Sequence, residues 1–179
     1  QYSWLTNELD NSAAQWNILG QQVMMAPLEL FGSPLNNDQW DGYNWERTQL
    51  QNHIINNSID NFVVLTGDIH TSWANDLPGS GYDASTGSGS VGVEFVVTSV
   101  TSPGFPFSVP ASTIQFENDH MKYIDLTENG YMILDINKQR TQADWYYLTD
   151  ITTQTTSDYY ADGWYVNDGE RHLNQASGF

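Results

Sequence analysis

Asn61-Phe62-Val63-Val64-Leu65-Thr66-Gly67-Asp68-Ile69-His70-Thr71-Ser72-Trp73 is the stretch from which the fold is read. Its apolar run predicts a short strand over 62–66, buried on both faces. The run stops at Gly67, and a carboxylate and an imidazole follow with one residue between them. In α/β sheets, ligands sit just beyond the carboxyl ends of such strands. Asp and His suit a Lewis-acidic metal, one through a hard oxygen and one through nitrogen. Asp68 and His70 are therefore the candidate metal ligands. Asp-x-His alone is as often a surface turn, and the strand exit is what gives it weight.

Upstream, residues 44–56 predict a helix with Asn44 as N-cap and an apolar stripe from Leu50, Ile54 and Ile55. Helix, turn and strand make half of an α/β unit. Residues 16–25 read as a second strand buried on both faces, with Gln21 and Gln22 near its exit. Residues 1–13 read as a short helix presenting Trp4, Leu5 and Leu9, and 27–37 as loop. Downstream, Gly, Ser and Asp mark 78–90 as a mobile loop. Residues 91–100 follow as a strand, with Val91, Val93, Phe95 and Val97 on one face and Glu94 on the other. Residues 102–113 hold three prolines and read as irregular. Residues 121–126, 130–136 and 140–148 predict an antiparallel β meander, joined by turns at Glu128-Asn129-Gly130 and Asn137-Lys138-Gln139. The chain divides as 1–150, one domain, and 151–179, an irregular tail.

Composition narrows the function. A formal charge of −17 with five basic residues in 179 excludes a duplex nucleic acid as partner, because few phosphates could be neutralised. No cysteine is present, so thiolate chemistry and disulfides are absent. No apolar run approaches the ~18 residues of a membrane span. The chain starts at Gln1 without Met, as expected of a processed product or a fragment.

Three further residues are candidates. Glu94, flanked by valine and phenylalanine, needs a partner if buried, and could accept the second N–H of His70; the alternative is a hydrated strand face. Arg47 offers a bidentate phosphate binder, or an ion pair with Asp41 at the helix start. His120, in Asn118-Asp119-His120, either reaches a site or lies on the surface.

Five segments occur in an order that resembles the C-terminal half of PhoD-like alkaline phosphatases, a branch of the metallophosphoesterases. They are Trp16 to Met24, Trp40-Asp41-Gly42-Tyr43 with Arg47, Val64 to Trp73, Glu94 to Gly104, and Asn118 to Tyr131. The resemblance implies an α/β fold, half of a four-layer α/β/β/α sandwich. It implies metal-dependent hydrolysis of phosphate monoesters or diesters, with ferric iron and calcium as metals. Asp68 and His70 carry over as metal ligands; Glu94 as a supporting residue and Arg47 and His120 as substrate-binding candidates rest on the reading of the residues alone. It also implies a secreted or periplasmic protein. The early Asp motif, second Gly-Asp and Asn-His motif of the superfamily do not precede Asp68. The N-terminal half of the enzyme is therefore expected as a companion polypeptide or cleaved segment, with this chain inactive alone. A competing reading is a noncatalytic acidic extracellular module binding calcium or carbohydrate, favoured by excess Asp and scattered Trp and Tyr.

Overall fold

Two β-sheets stack face to face, and helices cover the outer side of one. The fold comes from a computed structural model describing residues 1–104, 108–154 and 157–177. The chain runs α1 (Tyr2–Asn11), β1 (Asn17–Gly20), β2 (Glu29–Leu30), β3 (Ser33–Pro34), a 3-10 turn (Trp40–Tyr43), α2 (Asn44–Asn56), β4 (Phe62–Thr66), β5 (Ser72–Asp83) and β6 (Ser88–Val96). It continues through α3 (Ala111–Glu117), β7 (Met121–Asp125), β8 (Gly130–Ile136), β9 (Arg140–Leu148), β10 (Asp158–Asn167) and β11 (Asn174–Gln175). The first sheet has the order β1-β4-β6-β5-β7. In it β1, β4 and β6 are parallel, and β5 is antiparallel to both β6 and β7. The second, β11-β10-β9-β8, is antiparallel throughout.

The apolar run at β4 follows from this stacking. Successive strand residues point to opposite faces. Phe62 and Val64 enter a core with Leu50 and Ile54 of α2, against which Leu5 and Leu9 of α1 pack. Val63 points the other way, into a core shared by Phe95 and by Ala143, Trp145 and Tyr147 of β9. Both faces must be apolar because both are covered, and each such side chain contributes about 1.5–3 kcal/mol by burial. The buried residues of α2 and α3 lie in the first core, so the described residues form three layers, helices then two sheets.

β4, α2, β8 and β9 lie where their patterns predict, but several expectations are corrected. The strand over 16–25 is only β1, an edge strand with Ile18 40% exposed. Met24, Met25 and Ala26 are buried as irregular chain, with the Trp40 amide bonded to Met24 O. Asn44 is not a cap; Tyr43 takes that place and the Asn44 amide oxygen accepts from Arg47. Residues 78–90 are mostly strand, because β5 and β6 form one long hairpin with its turn after Asp83. Gly81 and Gly89, both at positive φ, permit it: a Cβ on Gly89 would meet Gly81 backbone at 2.8 Å.

The 102–113 region ends in the start of α3, and its residues 105–107 lie outside the described ones. The meander over 121–148 is not one sheet. β7 pairs with β5, and Thr127 to Asn129 carry the chain across to the second sheet. The third strand of the antiparallel sheet is β10, inside the segment expected to be an irregular tail. Its aromatic residues are good strand formers, and the Asp and Gly among them hide the pattern. Among the described residues no helix is long and apolar enough to cross a membrane.

Candidate functional site

β4 exits the sheet at Thr66, and the chain must pass over the end of β6 to enter β5. It does so in five residues, and the tightness shows in the backbone. Ile69 N donates to Gly67 O at 2.9 Å, closing a three-residue turn centred on Asp68. Asp68 has φ 70° and His70 has φ 58°, both left-handed. Such conformations cost non-glycine residues about 1–3 kcal/mol each and cluster at functional sites. Ile69 between them is buried in the helix-side core and anchors the turn.

The polar ends of the two residues differ from most in the molecule. Asp68 is exposed and makes no side-chain hydrogen bond or ion pair among the described residues. His70 is half-buried, with Nδ1 2.9 Å from Pro103 O. A carbonyl only accepts, so Nδ1 carries the proton, and the neutral ring keeps its lone pair on Nε2. Metal-binding imidazoles are held in this way, with the second nitrogen donating to a carbonyl. The Thr98 hydroxyl contacts His70 O at 3.1 Å, and Gly104 packs close enough that a Cβ would lie 3.5 Å from the same oxygen. An open groove of about 460 Å³, lined by Gln21, Gln22, Thr66, Gly67, Val97 and Met132 among others, runs beside the turn.

One carboxylate and one imidazole nitrogen, both without a partner among the described residues, fit a hard or borderline metal as part of a ligand set. Among the described residues no group of three or more His, Cys, Asp or Glu could hold an ion alone.

The other candidates lie apart from this turn. The bond from His70 to Glu94 is not made. Glu94 is fully buried, and its carboxylate accepts Met25 N at 2.6 Å, Ala26 N at 3.0 Å and the Asn75 side-chain amide at 3.0 Å. Two adjacent backbone amides with no strand partner need an acceptor, and Glu94 is theirs. Burial pushes its carboxyl up to about 7. Arg47 takes the ion pair rather than the phosphate-binding role. It lies 2.7 Å from Asp41, donates to Met25 O and contacts the Asn44 side chain. His120 is neither at the turn nor on the surface. It is buried, Nε2 donates to Pro27 O at 2.9 Å, and burial pushes its imidazole down to about 4. Thr98 and Pro103 escape a residue-by-residue reading, since a hydroxyl and a carbonyl oxygen carry no signal of their own. They do lie in the 94–104 stretch of the resemblance.

Comparison with known proteins gives this turn a family context. The family model described as PhoD-like phosphatase matches residues 1–145. Over 158 residues the chain is 37% identical to alkaline phosphatase D of Bacillus subtilis (strain 168), covering 85% of this chain and 26% of that protein. A solved structure described as "Structure of PhoD" superposes with a TM-score of 0.87 at 30% identity, covering 99% of this chain and 34% of the other. The chain therefore spans about a quarter of the curated relative it matches. The chain belongs to the PhoD-like phosphatase family.

Proposed function

We propose that this chain contributes Asp68 and His70 to the metal site of a phosphoester hydrolase. The observation that carries the reading is the carboxylate without a partner among the described residues and the carbonyl-bonded imidazole, on left-handed positions either side of Ile69 at the exit of β4. The metal would be held through the Asp68 carboxylate and His70 Nε2. A bound metal supplies Lewis acidity at the phosphoryl oxygens and an oxygen nucleophile near neutral pH. Ile69 in the core holds the turn in place, and the Pro103 carbonyl keeps the proton on Nδ1 and off the coordinating nitrogen. The resemblance implies ferric iron and calcium as the metals, and an exported protein.

The remaining ligands, in this reading, come from a segment outside residues 1–179, either a companion polypeptide or a cleaved N-terminal half. The support is the two-ligand count and the open edge of β1. That segment would also complete the four-layer sandwich over the outer face of β8, where Ile133 is 47% exposed. The alternative reading as a carbohydrate-binding module draws on Trp4 and Trp45, 65% and 70% exposed, while Trp73 and Trp145 are core residues.

The test is turnover of p-nitrophenyl phosphate and bis-p-nitrophenyl phosphate by the complete enzyme. Asp68→Ala and His70→Ala should each abolish both activities while near-UV circular dichroism stays native. Near-normal turnover by either folded variant excludes that residue as an essential ligand.

A further inference from the structure

The Pro103 carbonyl that receives the His70 proton sits on a loop with no helix or strand to hold it, and another residue fixes it. Asn129, at the crossover between the sheets, points its side-chain amide into this loop. Its Nδ2 lies 2.9 Å from Ser102 O, 2.9 Å from Ser99 Oγ and 3.1 Å from Ser99 O. The Ser99 hydroxyl closes the clasp by donating to Ser102 O at 2.6 Å. Ser102 O belongs to the peptide that enters Pro103, so two donors set the plane of that peptide. The proline ring fixes φ near −65°. That leaves ψ of Pro103 to aim its carbonyl, and Gly104, on the far side of that peptide, is packed so closely that a Cβ would lie 3.0 Å from Leu126 O and 3.5 Å from His70 O; the carbonyl points to His70 Nδ1 at 2.9 Å. The crossover is itself pinned, by Gly130 N to Ser99 O at 3.1 Å and Leu148 N to Asn129 O at 2.9 Å. A second contact runs in parallel, since the Thr98 hydroxyl lies between His70 O and Glu128 O at 3.1 and 2.9 Å.

We infer that Asn129 is a positioning residue for His70: through Ser102 and Pro103 it sets the ring orientation and selects the Nδ1–H tautomer that leaves Nε2 open for a metal. The inference rests on His70 being a metal ligand, but its geometric half stands without a metal. In a neutral imidazole only one nitrogen carries the proton. A carbonyl held at Nδ1 decides which one, and a loosened carbonyl lets the tautomers mix.

The experiment is imidazole ¹⁵N NMR on the metal-free, full-length protein with labelled histidine, at alkaline pH. The His70 signals are assigned by their absence in His70→Gln. The parent protein should show a protonated Nδ1 and an unprotonated Nε2. Asn129→Ala should move both shifts toward the average of two tautomers, with near-UV circular dichroism native and zinc affinity lower by about 10–100-fold. Ser99→Ala removes only the hydroxyl, should give the same change at smaller size, and serves alone should Asn129→Ala fail to fold. Unchanged His70 shifts in a folded variant overturn the inference, whatever happens to affinity. Should the tautomer respond to Asn129→Ala while zinc, a diamagnetic ion that takes imidazole nitrogen, leaves the His70 signals unmoved, the positioning role stands and the metal reading falls.

Discussion

The molecule holds two sets of carboxylate and imidazole that differ in almost everything except residue type. Asp68 and His70 stand at the exit of β4 on left-handed backbone, one exposed and one half-buried. Among the described residues Asp68 has no partner, and His70 bonds through one ring nitrogen only. Glu94 and His120 lie inside, on ordinary backbone, and their polar atoms meet amides and a carbonyl. The difference teaches that chemistry-bearing residues make a site only when their neighbours leave them coordination to spare. The interior pair is closed off by burial: Glu94 holds the Met25 and Ala26 amides, and His120, bonded to Pro27 O, is buried away from solvent. The turn pair is held by its backbone and by the far side of one ring, so the reactive atoms stay open.

The largest effect that sharpens this contrast is expected beneath Glu94. Arg47 and Asp41 form an ion pair with side chains only 8% and 2% exposed. Arg47→Ala leaves Asp41 buried without its charge partner and Met25 O without a donor. Urea denaturation should show a loss of about 3–5 kcal/mol. Turnover per folded molecule should be retained, the opposite of Asp68→Ala. Lost turnover in folded Arg47→Ala would return Arg47 to the substrate site and break the contrast.

A smaller effect concerns pH. Glu94 has a folded pKa of about 7 against a reference of 4.5, raised first by burial. A raised carboxylate contributes stability that is full below about 4.5 and lost as pH rises through about 7. His120 has a folded pKa of about 4 against a reference of 6.5, lowered first by burial. Its contribution is full above about 6.5 and lost as pH falls through about 4. Between pH 5 and 6.5 the two run in opposite directions and largely cancel. Glu94→Gln leaves one or more of three donors unmet, costing about 1–3 kcal/mol, and should make the protein lose stability on acidification relative to the parent. His120→Gln, which can keep the bond to Pro27, should make it gain. The check is Tm at pH 5 and pH 7 for the three proteins. Shifts of the same sign in both variants would mean that the interior pair is not titrating as its burial requires.

The sequence shows the centre of this fold better than its margins, for physical reasons. β4 is legible because a strand covered on both faces must be apolar at every position, and α2 because it is covered on one. Residues 16–25 mislead because burial, which their composition reports, is not the same as pairing: pairing with β4 ends at Gln21, and the Met25 and Ala26 amides turn to Glu94. β10 is hidden because Asp162 and Gly163 interrupt its aromatic run at a bulge against β9. Asp68 and His70 are legible from their place after the strand. The roles of Glu94 and His120 are not, since their partners are main-chain groups that every residue carries. The support of His70 by Asn129 crosses 59 positions of chain and becomes visible only when the loop is closed.

The account turns on Asp68 and His70 being metal ligands, and metal content tests that most directly. The complete protein, its Asp68→Ala variant and its His70→Ala variant would be purified identically, checked for native near-UV circular dichroism, and analysed by inductively coupled plasma mass spectrometry. The account predicts that each folded variant loses at least one metal ion per molecule relative to the parent. A full metal complement in both folded variants would contradict it.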